Sequence, residues 1–133
     1  MKIFLVAGEH SGDQLGFKLM RSLRALRPGV EFLGVGGEAM EREGLKSLFP
    51  LHDIAVMGIL PVLARLPTLI NRINQTASAI VVERPDLLII IDSPDFTHRV
   101  ARRVRRLLPD LPIVDYVSPS VWAWRPGRAK AMR

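Results

Sequence analysis

Cysteine is absent from the 133 residues, which excludes disulfides and cysteine-based zinc sites and suits a reducing, cytoplasmic setting. No apolar run approaches the roughly 20 residues needed to cross a bilayer. Met1 to Ala7 passes directly into a strand-like run with a single Lys and no separate apolar region, so no signal peptide is expected. The three histidines, His10, His52 and His98, show no metal-ligand spacing, and no metal is expected. Neither an aromatic RNA-binding strand signature nor zinc-finger spacing occurs, so nucleic acid is the weakest candidate partner. There is no internal repeat, low-complexity tract or interdomain linker. Aromatic residues make up only 6% of the chain, and both tryptophans fall in one stretch, Tyr116 to Arg125, reading YVSPSVWAWR. Aromatics on a loop after a buried strand either line a cleft or cap a core.

What is present supports one domain, residues 1–133. An apolar fraction of 48% is ample for a core and too high for disorder. The net charge of +6, supplied mostly by arginine, attracts phosphate groups on a small substrate or an anionic lipid.

The run KIFLVA (Lys2 to Ala7) is short and continuously apolar, as in a strand buried on both faces of a parallel sheet. Gly8 to Gly12 reads as a turn, and Asp13 as the cap of a helix to about Arg27, stopped by Pro28-Gly29. Glu31 to Val35 reads as a strand, Glu38 to Glu43 as a short helix ending at Gly44, and Leu45 to Phe49 as a short strand. From Ile59 to Glu83 an apolar stripe recurs at helical spacing, with a break expected near Pro67. Leu87 to Ile91 is the most apolar strand. Ser93-Pro94-Asp95 is a turn, Phe96 to Leu108 an arginine-rich helix, and Ile113 to Val117 a last strand. Alternating strands and helices predict an α/β fold, a parallel sheet flanked by helices.

Ligands of such sheets bind outside the carboxyl ends of the strands. Four loops follow candidate strands there. Gly8 to Asp13 joins glycines, Ser11 and the carboxylates of Glu9 and Asp13 at a helix start, which suits an anion or an ordinary capped turn. Its glycine spacing is neither a dinucleotide fingerprint nor a Walker A loop. Val35-Gly36-Gly37 permits close backbone approach or simply a turn. Asp92 and Asp95 flank Ser93-Pro94 at the exit of the most buried strand. Asp95 is either an N-cap or a general base for a sugar hydroxyl. The tryptophan stretch is the fourth.

The blocks VAGEHSGD (Val6 to Asp13), AVMG (Ala55 to Gly58), DSPDF (Asp92 to Phe96) and YVSPSVWAWR together resemble the lipid-A-disaccharide synthases, glycosyltransferases of the GT-B type. The resemblance runs from Met1 to the last residue. It implies that the chain is the Rossmann-like, acceptor-binding N-terminal portion of a GT-B enzyme, expected to be inactive alone, with the UDP-sugar-binding half absent. The implied reaction moves 2,3-diacylglucosamine from its UDP conjugate to 2,3-diacylglucosamine 1-phosphate with inversion, giving lipid A disaccharide 1-phosphate and UDP, without a cofactor.

Asp95 corresponds to the family's proposed catalytic carboxylate. Glu9, Ser11, Gly12, Asp13, Met57, Gly58, Asp92, Ser118, Trp122, Trp124 and Arg125 are carried over as acceptor-binding positions. Pro61 stands where many members have Glu and Thr97 where many have Asn. Because both substrates carry acyl chains, contact with the cytoplasmic face of the inner membrane is expected, through Ile59, Leu60, Leu63 and Arg65, with Arg72 beside them. Residues after Pro67 are expected in the core. A homodimer of the full-length protein is compatible with the resemblance. The competing reading is a non-catalytic phosphate- or nucleotide-binding module of Rossmann type.

Overall fold

A computed structural model describes residues 1–55, 61–92 and 94–116, without the side chains of Val62, Pro94 and Asp95. Its elements run β1 (Lys2–Ala7), α1 (His10–Leu26), β2 (Glu31–Val35), α2 (Glu38–Arg42), α3 (His52–Ala55), α4 (Val62–Glu83), β3 (Leu87–Ile91), α5 (Pro94–Leu107) and β4 (Ile113–Tyr116). The strands form one parallel sheet in the order β2-β1-β3-β4.

The period of two in an extended chain divides the strand side chains between two cores. Phe4 and Val6 of β1 and Leu88 and Ile90 of β3 face Ile73, Ala77 and Ile80 of α4 and Phe96, Val100 and Val104 of α5. Ile3, Leu5, Ala7, Ile89 and Ile91 face the other side, where Met20 of α1 and Met40 of α2 pack. Helices therefore cover both faces. This explains why β1 and β3 are apolar throughout rather than alternating. In β2, Gly34 has φ +143°, and a Cβ there would sit 1.8 Å from the Leu5 carbonyl oxygen, so only glycine permits this pairing.

Several local expectations are corrected. Helix α1 begins at His10, with Glu9 as its N-cap residue, so Gly12 and Asp13 lie inside its first turns rather than before them. This turn rests on Ala7 and on the Ile91 carbonyl, which a Cβ at Gly12 would meet at 3.4 Å, an ordinary contact distance. Leu45 to Phe49 is not a strand: its sheet pairing is a single bridge, Gly34 to Ser47. Helix α4 continues through Pro67 without a second start. Pro67 lies near the amino end, where its missing N–H costs one helical bond, and downstream packing of Ile73, Ala77 and Ile80 outweighs that loss. Helix α5 begins at Pro94, so Asp95 belongs to its first turn rather than preceding it. Pro at a helix start fits because the N–H it lacks has no helical partner there.

Candidate functional site

The direction of chain progression reverses between β1 and β3. From β1 the chain moves outward to β2, then crosses back over β1 to β3 and on to β4. The loops after β1 and β3 thus leave adjacent strands in opposite senses, opening a crevice at their carboxyl ends. The ends are level: Ala7 pairs with Ile91, and Ile91 with Tyr116. Glu9, Ser11, Gly12 and Asp92 are brought to this one edge, and α5, which carries Asp95, starts there. The chain also leaves β4 toward residue 117 from the same edge.

On the β1 side, Glu9 and Ser11 are exposed, and the Ser11 hydroxyl donates to the Glu9 carboxylate at 3.4 Å. Asp13 behaves differently. It is 5% exposed, and its carboxylate accepts the backbone N–H groups of Gly37 (2.8 Å), Met40 (3.0 Å) and Ala39 (3.1 Å). It caps α2 from another helix, and α2 has no capping side chain of its own. Both oxygens are thus committed to backbone, and Asp13 contributes to the crevice by fixing its α1–α2 wall. Gly37 is explained by the same contact, since a Cβ there would lie 2.7 Å from Asp13 Oδ2, whereas a Cβ at Gly36 would meet Met40 Sδ at 2.6 Å.

On the β3 side, Asp92 has φ +45°, a left-handed conformation that Asp tolerates better than most residues. The turn is held from both sides. The Thr97 hydroxyl donates to the Asp92 carbonyl at 2.8 Å, and the Asp92 N–H donates to the Tyr116 carbonyl at 3.3 Å. Strained backbone persists where its surroundings over-determine it, which is common at ligand sites.

One pair near this edge was not legible in the sequence. His98 Nε2 of α5 and Asp115 Oδ2 of β4 lie 2.9 Å apart, with the Asp115 side chain 6% exposed. The two residues are 17 positions apart with no spacing signal, and only the packing of α5 on β4 joins them. Arg72 is also placed differently from expectation. Its guanidinium binds the Asp53 carboxylate and Gln75 Oε1 and lies over the Phe49 ring, so it faces protein rather than the surface beside Arg65.

Met57, Gly58, Ile59, Leu60, Ser118, Trp122, Trp124 and Arg125 lie outside the described residues. Among the described residues no cluster of His, Asp or Glu could hold a metal ion, and no helix is long and apolar enough to cross a membrane. Leu63 is 83% exposed and Ile70 51%, whereas Ile73, Ala77 and Ile80 are buried. The amino-terminal half of α4 therefore presents apolar side chains to solvent. Ile70 departs from the expectation that residues after Pro67 are in the core, because it sits at the edge of the buried stripe.

The sequence model of the family described as lipid-A-disaccharide synthetase matches residues 3–133. Curated relatives with the name lipid-A-disaccharide synthase include one from Nitrobacter hamburgensis, 62% identical over 133 residues, covering 99% of this chain and 34% of the relative. A relative from Rhodopseudomonas palustris (strain BisB18) is 61% identical with the same coverage. One from Ruegeria pomeroyi is 54% identical over 132 residues, covering 99% of this chain and 33% of the relative. The chain thus spans about a third of the length of these relatives.

Proposed function

Because the chain belongs to the lipid-A-disaccharide synthetase family, we propose that it forms the acceptor-binding part of an inverting glycosyltransferase. The whole enzyme transfers 2,3-diacylglucosamine from its UDP conjugate to 2,3-diacylglucosamine 1-phosphate, and residues beyond this chain hold the UDP-sugar. The observation that carries this reading is the crevice between the carboxyl ends of β1 and β3, where the blocks VAGEHSGD and DSPDF leave adjacent strands.

In the proposed step, the Asp95 carboxylate takes the proton of the acceptor 6-hydroxyl. The freed oxygen attacks the anomeric carbon of the donor from the face opposite the diphosphate. The bond from that carbon to the diphosphate oxygen breaks, and UDP leaves with the electron pair. A single base suffices for such an inversion. Glu9, Ser11, Gly12 and Asp92 shape the acceptor side, and Asp13 holds α2 in place behind them. Met57, Gly58, Ser118, Trp122, Trp124 and Arg125 complete the acceptor site in this reading. The protein works as a peripheral enzyme at the cytoplasmic face of the inner membrane, as a homodimer when full-length. Ile59, Leu60, Leu63 and Arg65 meet the bilayer or the acyl chains.

In the full-length protein, Asp95→Asn is expected to lower turnover by orders of magnitude with unchanged circular dichroism. Near-normal turnover would remove Asp95 from the mechanism. The Leu63→Ser variant is expected to bind phospholipid vesicles more weakly than the parent while remaining folded, and unchanged binding would end the membrane assignment of this helix.

A further inference from the structure

Helix α5 carries Arg99, Arg102, Arg103 and Arg106 at the i, i+3, i+4, i+7 spacing that places side chains on one helix face. The face beside them is buried through Phe96, Val100 and Val104. With Ile70 and Asn74 of α4, these four arginines line a pocket of about 270 Å3 between the two helices. That volume suits a headgroup rather than a whole drug-sized ligand.

The pocket lining contains no carboxylate. Arg103 is fixed by donating to the Asn74 side-chain oxygen. Among the described residues, no ion pair involves Arg99, Arg102 or Arg106. The fifth arginine of the helix, Arg105, points elsewhere and donates to the carbonyls of Pro109 and Leu111. Guanidinium groups gathered without a counter-charge among the described residues favour a phosphate, which accepts their N–H groups in pairs.

The neighbouring surface selects the source of that phosphate. The half-exposed Ile70 lines the pocket, and Leu63, seven residues earlier, lies on the same stripe of α4 about 10 Å nearer its amino end. An apolar edge continuous with a basic pocket matches a lipid whose headgroup enters the pocket while its acyl chains stay beside the helix. We propose that the α4–α5 pocket is a binding site for the phosphate headgroup of an anionic glycerophospholipid, distinct from the crevice between β1 and β3. The proposal deepens the membrane part of the reading above and rests on it.

The test is co-flotation of the full-length protein with vesicles of phosphatidylcholine alone or with added phosphatidylglycerol. Combined Arg99→Gln, Arg102→Gln and Arg106→Gln substitutions are expected to weaken binding to the phosphatidylglycerol vesicles by about 100-fold. Binding to phosphatidylcholine should change little. Replacing the same three residues by Lys keeps the charge but loses the paired N–H geometry, so binding should fall between parent and Gln variant. Full binding by the Lys variant would reduce the pocket to diffuse charge and overturn the site. Glycerol 1-phosphate at a matching phosphate concentration should not release the protein. Release would identify a soluble phosphate ester as the ligand instead. Undiminished binding of the Gln variant, with weakened binding of Leu63→Ser, would remove the pocket and leave the membrane reading standing. Failure of the parent to float with any vesicle would overturn both.

Discussion

The Asp13 carboxylate of α1 and the backbone N–H of Gly37 at the head of α2 meet at 2.8 Å, 24 residues apart in sequence. This contact and its two companions at Ala39 and Met40 tie the first βαβ unit to the wall of the crevice. Asp13→Ala is expected to destabilise the protein by about 3 kcal/mol, since it leaves buried N–H groups without acceptors. Asp13→Asn keeps one acceptor oxygen and should lose less. Chemical denaturation of both variants against the parent checks the order, and an unchanged midpoint for Ala would refute the cap.

At Gly16, α1 packs against Met40 and Ile91 with no room for a side chain. A Cβ there would fall 2.5 Å from Met40 Sδ and 3.1 Å from Ile91 Cδ1. Gly16→Val should cost about 1–3 kcal/mol through overpacking, and Met40→Ala in the same chain should recover part of it because the two residues share one space. Gly12→Ala meets its neighbours only at 3.4–3.5 Å and should be tolerated. Equal thermal shifts for Gly12→Ala and Gly16→Val would contradict this packing.

The His98–Asp115 pair has an asymmetry. Among the described residues, Asp115 Oδ1 is buried without a hydrogen-bond partner, and His98 is the side chain that satisfies the carboxylate. His98→Ala should therefore cost about 2–4 kcal/mol, as for a buried charge left alone. The double variant His98→Leu with Asp115→Val should regain most of that loss. A double variant less stable than His98→Ala would show that the pair stabilises the fold.

Arg72 joins Asp53 of α3 to the Phe49 ring, with its carbon Cζ 4.5 Å from the ring centre. Arg72→Lys keeps the charge but loses the planar fork and the stacking, at about 1 kcal/mol. Hydrogen exchange at Ile54 and Ala55 should then quicken while β1 stays protected. Unchanged exchange in α3 would mean that its position does not depend on Arg72.

The strands were readable because the runs KIFLVA and LLIII leave few alternatives, and their strict two-sided burial follows from the helices on both faces. Gly44 ends α2 with φ +105°, as its place after a short amphipathic run implied. The errors share a cause. Asp13 looks locally like the cap of its own helix, yet its partners begin 24 residues later. Arg72 looks like a surface charge in the sequence because Phe49 and Asp53 lie far away along the chain. Pro67 signals a break because local preference cannot weigh the packing that follows it. The crevice at the β1–β3 junction depends on strand order, which periodicity does not encode, and the position of Asp95 inside α5 depends on a helix start that sequence fixes only to within a few residues.

The central strand has a further consequence during synthesis. One edge of β1 is claimed early by β2, but the other waits for β3, whose Ile91 pairs with Ala7 across 84 positions. At ribosomal speeds of 5–20 residues per second, the interval between completion of β2 and arrival of β3 lasts roughly 3–10 s. Throughout it, a nearly continuous apolar strand presents an open row of N–H and C=O groups to the cell. The nascent chain is most vulnerable to mispairing in that window, and slower translation of the α4 codons would lengthen it.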